Sequence, residues 1–285
     1  MSVSAATAVV GVVGAPVGHS LSPLLHNAWI AAAGLDAVYV ALSPTRDRVP
    51  ALLDGLRGGG AVRGLNVTLP YKEAALAAAD QITARAQRAG AANLLLFEPD
   101  GTIRADNTDG EGLLAAFAEQ APALDIAARA VVVLGAGGAA RGAVAALLEA
   151  GAPEVRIVNR TLDRAHALAA ALGDRVTVHE WGALREALTS ASSVINATSL
   201  GLAGREPLAV SFDGLQAGAV VMDMVYRPLR TAFLARAEAE GFTPVDGLAM
   251  LIGQAAPSFE AFFGQPPPKG VDVRRLALTA LEAAP

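Results

Sequence analysis

Short β-branched apolar runs alternate with longer alanine- and leucine-rich stretches along nearly the whole chain. Residues 9–14, 37–42 and 62–66 read as buried strands, with helices between them at 23–33 and 47–56. Such strand–helix alternation predicts an α/β architecture built on parallel sheet. Residues 91–106 break the rhythm with an apolar run, a Pro99-Asp100-Gly101 turn and a second short run, which predict a hairpin-like insertion. A helix at 112–118 and a loop at 120–128, containing Pro122, lead into a second series. Its predicted strands are 130–134, 154–158, 176–178, 194–196, 220–222 and 243–245, with helices at 139–150 and 162–172. Two final helices, 248–263 and 272–283, flank the proline run 266–268. They follow no strand of their own, so they are expected to pack back on the first domain. The expected organisation is a first domain over residues 1–112, completed by 248–285, and a second over 113–247.

A chain of 285 residues holds enough material for two domains. With 53% apolar residues and a net charge of only −5, disorder is excluded as the dominant state. The 22 basic residues form no block against the 27 acidic ones, so no nucleic-acid partner is expected. The absence of cysteine excludes disulfides, thiolate catalysis and sulfur-ligated zinc, and no metal site is expected. The first basic residue is Arg46, so neither a secretory signal nor an arginine-rich transit peptide is read at the start. No apolar run reaches the length of a membrane span. A cytoplasmic monomer or homodimer is the expectation.

The strongest chemical signal is Gly135-Ala136-Gly137-Gly138-Ala139-Ala140, which directly follows a predicted strand and opens a predicted helix. This G-x-G-x-x-A spacing suits a dinucleotide. The first glycine makes the tight turn, the second admits a pyrophosphate to the backbone, and the third small residue lets helix and strand pack closely. The next strand ends in Asn159-Arg160-Thr161, with Arg164 a turn later and no carboxylate at the tip. An NAD site usually places an acid there for the ribose hydroxyls; two guanidiniums and a hydroxyl suit a 2′-phosphate instead, so NADP is expected. Thr198, in the loop after strand 194–196, and Met224, after strand 220–222, are placed to touch the cofactor.

In the first domain, Ser20 and Ser22 flank a helix start where hydroxyls and free amides can hold a carboxylate. Ser22 reads equally well as an N-cap before Pro23. Asn66, Thr68 and Lys72 lie at the end of another strand, and parallel strands present their carboxyl ends to a ligand crevice. Lys72 alone also fits a surface position at a helix start. In Asp106-Asn107-Thr108-Asp109-Gly110, Asp106, Thr108 or Asp109 fits a helix cap as well as a functional role.

Taken in order, these motifs resemble the shikimate dehydrogenase family. The match comprises G-x-P-x-x-H-S-x-S-P-x-x-H-N at 14–27, N-V-T-x-P-x-K at 66–72, G-A-x-N at 90–93 and D-N-T-D-G at 106–110. It continues with G-A-G-G-A-x-R at 135–141, N-R-T at 159–161, N-A-T-S at 196–199, D-M-x-Y at 223–226 and D-G-L-x-M-L-x-x-Q at 246–254. The resemblance spans the chain and implies NADP-dependent interconversion of 3-dehydroshikimate and shikimate in aromatic amino-acid biosynthesis. It implies Lys72 and Asp109 as the acid–base pair, and Ser20 and Ser22, with Tyr226, as the carboxylate site. Thr68, Asn93, Asp109 and Gln254 would bind ring hydroxyls. Gly247 and Met250 would lie near the nicotinamide, and Asn159, Arg160, Thr161 and Arg164 would hold the 2′-phosphate. The implied fold has a Rossmann-type NADP domain and a parallel-sheet substrate domain to which the C-terminal helices return.

Two positions depart from the family pattern. Leu94 stands where threonine is usual, which keeps a quinate- or aminoshikimate-type paralogue open, and Phe262-Phe263 replaces a common tryptophan, a change expected to matter only for packing. A dinucleotide-binding sensor without turnover is the contrasting class. The intact Lys72 and Asp109 argue against it, because a pure binder has no need of a paired acid and base.

Overall fold

The computed structural model describes residues 3–58 and 60–283. The chain divides into two units, the first running to Thr108 and resuming at Gln254, the second spanning Asp109–Gly253.

The first unit begins β1 (Ala8–Val13), α1 (Ser22–Ala32), β2 (Ala37–Leu42), α2 (Val49–Gly55) and β3 (Val62–Val67). It continues with α3 (Lys72–Ala77), β4 (Gln81–Ile82), α4 (Ala84–Ala89), β5 (Leu94–Phe97) and β6 (Ile103–Asp106). The sheet order is β2-β1-β3-β5-β6-β4. As the alternation predicts, β1 pairs in parallel with β2 and β3. The interruption is the expected hairpin: β5 and β6 pair antiparallel, and β5 joins β3, so the sheet is mixed on that side. Asp100 shapes the turn by accepting the Thr102 amide at 2.9 Å, and Gly101 supplies a φ of +87°. Val13, Leu65, Val67, Leu95 and Ile103 fill one core of this unit. The short α3, α4 and β4 carry too few residues for a periodic signal, and only the helix start at Lys72 was legible.

The second unit comprises α5 (Asp109–Gln120), β7 (Val131–Leu134), α6 (Gly138–Glu149), β8 (Val155–Val158), α7 (Leu162–Leu172) and β9 (Val176–His179). It goes on with α8 (Leu184–Leu188), β10 (Ser193–Asn196), β11 (Val220–Asp223), α9 (Ala232–Ala239), β12 (Thr243–Val245) and the start of α10 (Gly247–Phe263). The sheet is β12-β11-β10-β7-β8-β9, and each neighbouring pair is parallel. From β7 the chain steps outward to β9, then returns to lay β10 on the other side. This is the doubly wound Rossmann-type order, with its switch point between β7 and β10. Helix α5 packs on α6 through Gly110, where a Cβ would lie 2.4 Å from Ala146 Cβ. Helices α8 and α9 were not anticipated; five and eight residues long, they barely complete one or two turns of pattern.

The end of α10, from Gln254, and α11 (Val273–Glu282) belong to the first unit, and α11 packs on α1. Among the described residues no helix is long and apolar enough to cross a membrane.

Candidate functional site

In the first unit, two strand ends are pressed together. A Cβ at Gly14, just past β1, would lie 2.4 Å from Thr68 Cγ2 and 3.0 Å from the Leu69 carbonyl, so only glycine fits between these loops. Backbone bonds lock the approach: Thr68 N donates to Val13 O at 2.9 Å and Ala15 N to Leu69 O at 3.0 Å. Ser22 is the first residue of α1, and the N-cap is Leu21, which makes no side-chain cap bond. Capping therefore does not account for Ser22. Ser20 Oγ accepts the Ser22 amide at 3.2 Å, drawing the two serines together at the helix start. Lys72, half-buried, opens α3, and its carbonyl accepts the Ala92 amide at 2.9 Å, one residue before Asn93.

Asn93 sits at the centre of a buried polar cluster. Its Oδ1 accepts the Thr108 amide at 2.8 Å, while its Nδ2 donates to Thr108 Oγ1 at 3.0 Å and to Gln254 Oε1 at 3.3 Å. A backbone N–H can only donate, so this bond sets which end of the Asn93 amide faces which way. Ser258, one helical turn beyond Gln254, donates to the Gln254 carbonyl at 3.1 Å and accepts Asn66 Nδ2 at 2.9 Å. Asn66 Oδ1 in turn accepts the Tyr39 hydroxyl at 2.9 Å. Ser258 was missed; its signal was the four-residue spacing from Gln254 on one helix face. Leu94 is buried in β5, and the orientation of Asn93 is set by Thr108 and Gln254.

The D-N-T-D-G segment divides its labour. Burial alone would raise the Asp106 carboxyl, but hydrogen bonds from Arg85 and Thr83, both at 2.6 Å, hold it below the usual carboxylate range. Asn107 Nδ2 donates to Ala91 O at 2.8 Å, and Thr108 serves Asn93. Asp109 follows as the buried first residue of α5.

In the second unit the switch point is occupied by the glycine turn. Gly135 has a φ of +113°, and a Cβ there would meet Ala197 O and Thr198 Cγ2, each at 3.1 Å. The loop after β10 thus abuts the turn after β7. Gly137 is the extended N-cap of α6 and faces open space, Ala136 is buried and Ala139 half-buried. The first turn of α6, from Gly138, carries no acidic residue. At the tip of β8, Asn159 Nδ2 donates to Thr161 O at 2.7 Å, and Arg160, Thr161 and Arg164 are exposed. Among the described residues neither arginine has an ion-pair or hydrogen-bond partner. Amides without a competing carboxylate, a glycine open to a ligand and two uncommitted guanidiniums fit a pyrophosphate and a 2′-phosphate.

Asp223 ends β11 fully buried. Burial pushes its carboxyl up to about 6, against hydrogen bonds from Thr231, the Val225 amide and Asn196. A Cβ at Gly247 would lie 2.5 Å from Met224 O, so α10 starts directly against that backbone. Met250 is buried in the apolar core of this unit, with Met224 packed against the same cluster. Tyr226 is half-buried. No group of His, Asp and Glu able to hold a metal occurs among the described residues.

Three family models match the chain: the shikimate dehydrogenase substrate binding domain over residues 12–95, shikimate / quinate 5-dehydrogenase over 117–203 and the shikimate 5′-dehydrogenase C-terminal domain over 247–276. The chain is 57% identical over 280 residues to a shikimate dehydrogenase (NADP(+)) of Caulobacter vibrioides, covering 98% of each chain. It is similar to the Thermus thermophilus shikimate 5-dehydrogenase solved with NADP(H) and shikimate, at 37% identity and a TM-score of 0.82, covering 96% of this chain and 99% of that one. A quinate dehydrogenase from Corynebacterium glutamicum, solved with NAD, gives 29% identity and a TM-score of 0.85 over 97% of this chain and 99% of its own.

Proposed function

Because this chain belongs to the shikimate dehydrogenase family, we propose that it catalyses the NADP-dependent, reversible reduction of 3-dehydroshikimate to shikimate in cytoplasmic aromatic amino-acid biosynthesis. The observation that carries this reading is the Asn93–Thr108–Gln254 cluster, a preassembled set of amide and hydroxyl groups suited to ring hydroxyls. In this reading the first unit binds substrate and the second binds cofactor.

Ketone reduction builds negative charge on oxygen, so a cation able to deliver a proton lowers the barrier. Lys72 takes that role at the reacting oxygen. Asp109 orients Lys72 and binds the neighbouring hydroxyl. Ser20 and Ser22 hold the substrate carboxylate, with Tyr226 as the third contact, while Thr68, Asn93 and Gln254 bind ring hydroxyls. NADP held by the second unit would supply the hydride acceptor, and its reduced form the hydride donor, for the carbon that bears the reacting oxygen. The backbone of Gly135, Ala136, Gly137, Gly138 and Ala139 receives the pyrophosphate, and Asn159, Arg160, Thr161 and Arg164 the 2′-phosphate. Thr198, Met224, Gly247 and Met250 line the remainder of the cofactor site.

Mixing the purified chain with shikimate and NADP should raise the near-ultraviolet absorbance of reduced nicotinamide, in step with loss of shikimate. NADP binding without turnover would instead mark a sensor.

A further inference from the structure

Asp223 has no role in the chemistry above, yet it is a fully buried carboxylate with donors on every side. Its Oδ1 accepts Asn196 Nδ2 and the Val225 amide, both at 2.9 Å, and its Oδ2 accepts Thr231 Oγ1 at 2.7 Å. None of these partners is a cation. The carboxylate is therefore retained against a desolvation cost, as the one side-chain group that accepts from all three donors.

The consequence runs outward through Asn196. Its Nδ2 is committed to Asp223 and to Leu200 O at 3.1 Å, so its Oδ1 must face Thr198. That oxygen accepts both the Thr198 amide at 3.0 Å and the Thr198 hydroxyl at 2.7 Å. With its proton committed, Thr198 Oγ1 accepts the Leu200 amide at 3.1 Å. Flipping the Asn196 amide would set Nδ2 against the Thr198 N–H, donor facing donor. An all-acceptor group at 223 thus sets the polarity of the whole run. The run ends where Thr198 Cγ2 and Ala197 O close on Gly135, each 3.1 Å from the position a Cβ would take.

We infer that Asp223 is a positioning residue of the cofactor site, holding the Thr198 loop against the Gly135 turn through Asn196. The inference rests on the reading of that turn as the dinucleotide site.

Titration calorimetry of the full chain with NADP tests it. Asp223→Ala should weaken NADP binding about tenfold or more, the scale of a lost hydrogen-bond set to a charged group. For Asn196→Ala, which leaves the Val225 amide beside Tyr226 bonded to Asp223, the shikimate KM at saturating NADP should stay within about twofold. Asp223→Asn keeps an oxygen for Asn196 and Val225 and offers an N–H to Thr231 Oγ1, so it should recover most of the affinity. Asn196→Ala cuts the run one link later and serves even if Asp223→Ala does not fold. It should show a comparable loss, and adding Thr198→Val should cost little more, since the two residues act as one unit. Near wild-type NADP affinity in Asp223→Ala or Asn196→Ala, or losses that simply add, would overturn the inference. A wild-type chain with no NADP affinity would overturn the reading of the Gly135 turn and the inference with it.

Discussion

His26 offers a sharp stability test, because the fold buries it without a hydrogen-bond partner among the described residues. Its ring stacks on Tyr39 at 4.2 Å and meets Trp29 edge-on at 5.5 Å. Among the described residues neither ring nitrogen has a hydrogen-bond partner. Desolvation lowers its pKa from 6.5 to about 3. A depressed pKa means the neutral ring contributes stability that is present above about pH 6.5 and lost as the pH falls toward 3. With roughly 1.4 kcal/mol per pH unit in that window, moving from about pH 7 to pH 5 should remove about 2 kcal/mol. Leucine has similar volume and no titrating group, so His26→Leu should lack this loss. The stacking it forfeits, about 0.5–1.5 kcal/mol, is opposed by removal of the unpaired nitrogens, which leaves the pH difference as the clean readout. The chain has two tryptophans, and a Trp181→Phe background leaves Trp29, beside His26, as the sole reporter of urea unfolding. An equal loss of stability in both proteins between the two pH values would refute the argument.

Lys72→Ala should lower kcat roughly 10²–10⁴-fold with NADP affinity retained, measured by steady-state kinetics and calorimetry; a change confined to KM would make Lys72 a binding residue. Asp109→Asn should reduce kcat and raise the shikimate KM, with losses far from additive to those of Lys72→Ala. Arg160→Asp should weaken NADP binding about tenfold to a hundredfold while barely affecting NAD, and equal losses for both would contradict the 2′-phosphate assignment. Ser20→Ala should raise the shikimate KM about tenfold with little change in Tm; an unchanged KM with a lower Tm would assign Ser20 to holding the helix start.

The periodicity revealed both sheets because their central strands are buried on two faces, as in the unbroken Val131–Leu134 run. Local turn chemistry was equally legible, at Pro99-Asp100-Gly101 and at the Gly135 turn. Short elements such as α8 escaped because a single turn carries no period. Ser22 shows a different limit: propensity favours it as a cap before Pro23, but the helix starts one residue earlier and uses it as its first residue. What no local pattern could show was which polar groups meet. The bond between Asn66 and Ser258 joins residues 192 apart, and that between Asn196 and Asp223 joins residues 27 apart. Long-range pairings of this kind depend on sheet order, and spacing along the chain does not encode them.

Measuring kcat/KM in a matrix of shikimate and quinate against NADP and NAD decides whether the chain is an NADP-dependent shikimate dehydrogenase. Shikimate with NADP should exceed every other pairing by at least about tenfold, which against NAD is the effect of one charge-assisted contact to the 2′-phosphate. Preference for quinate, or for NAD with either substrate, would contradict this expectation.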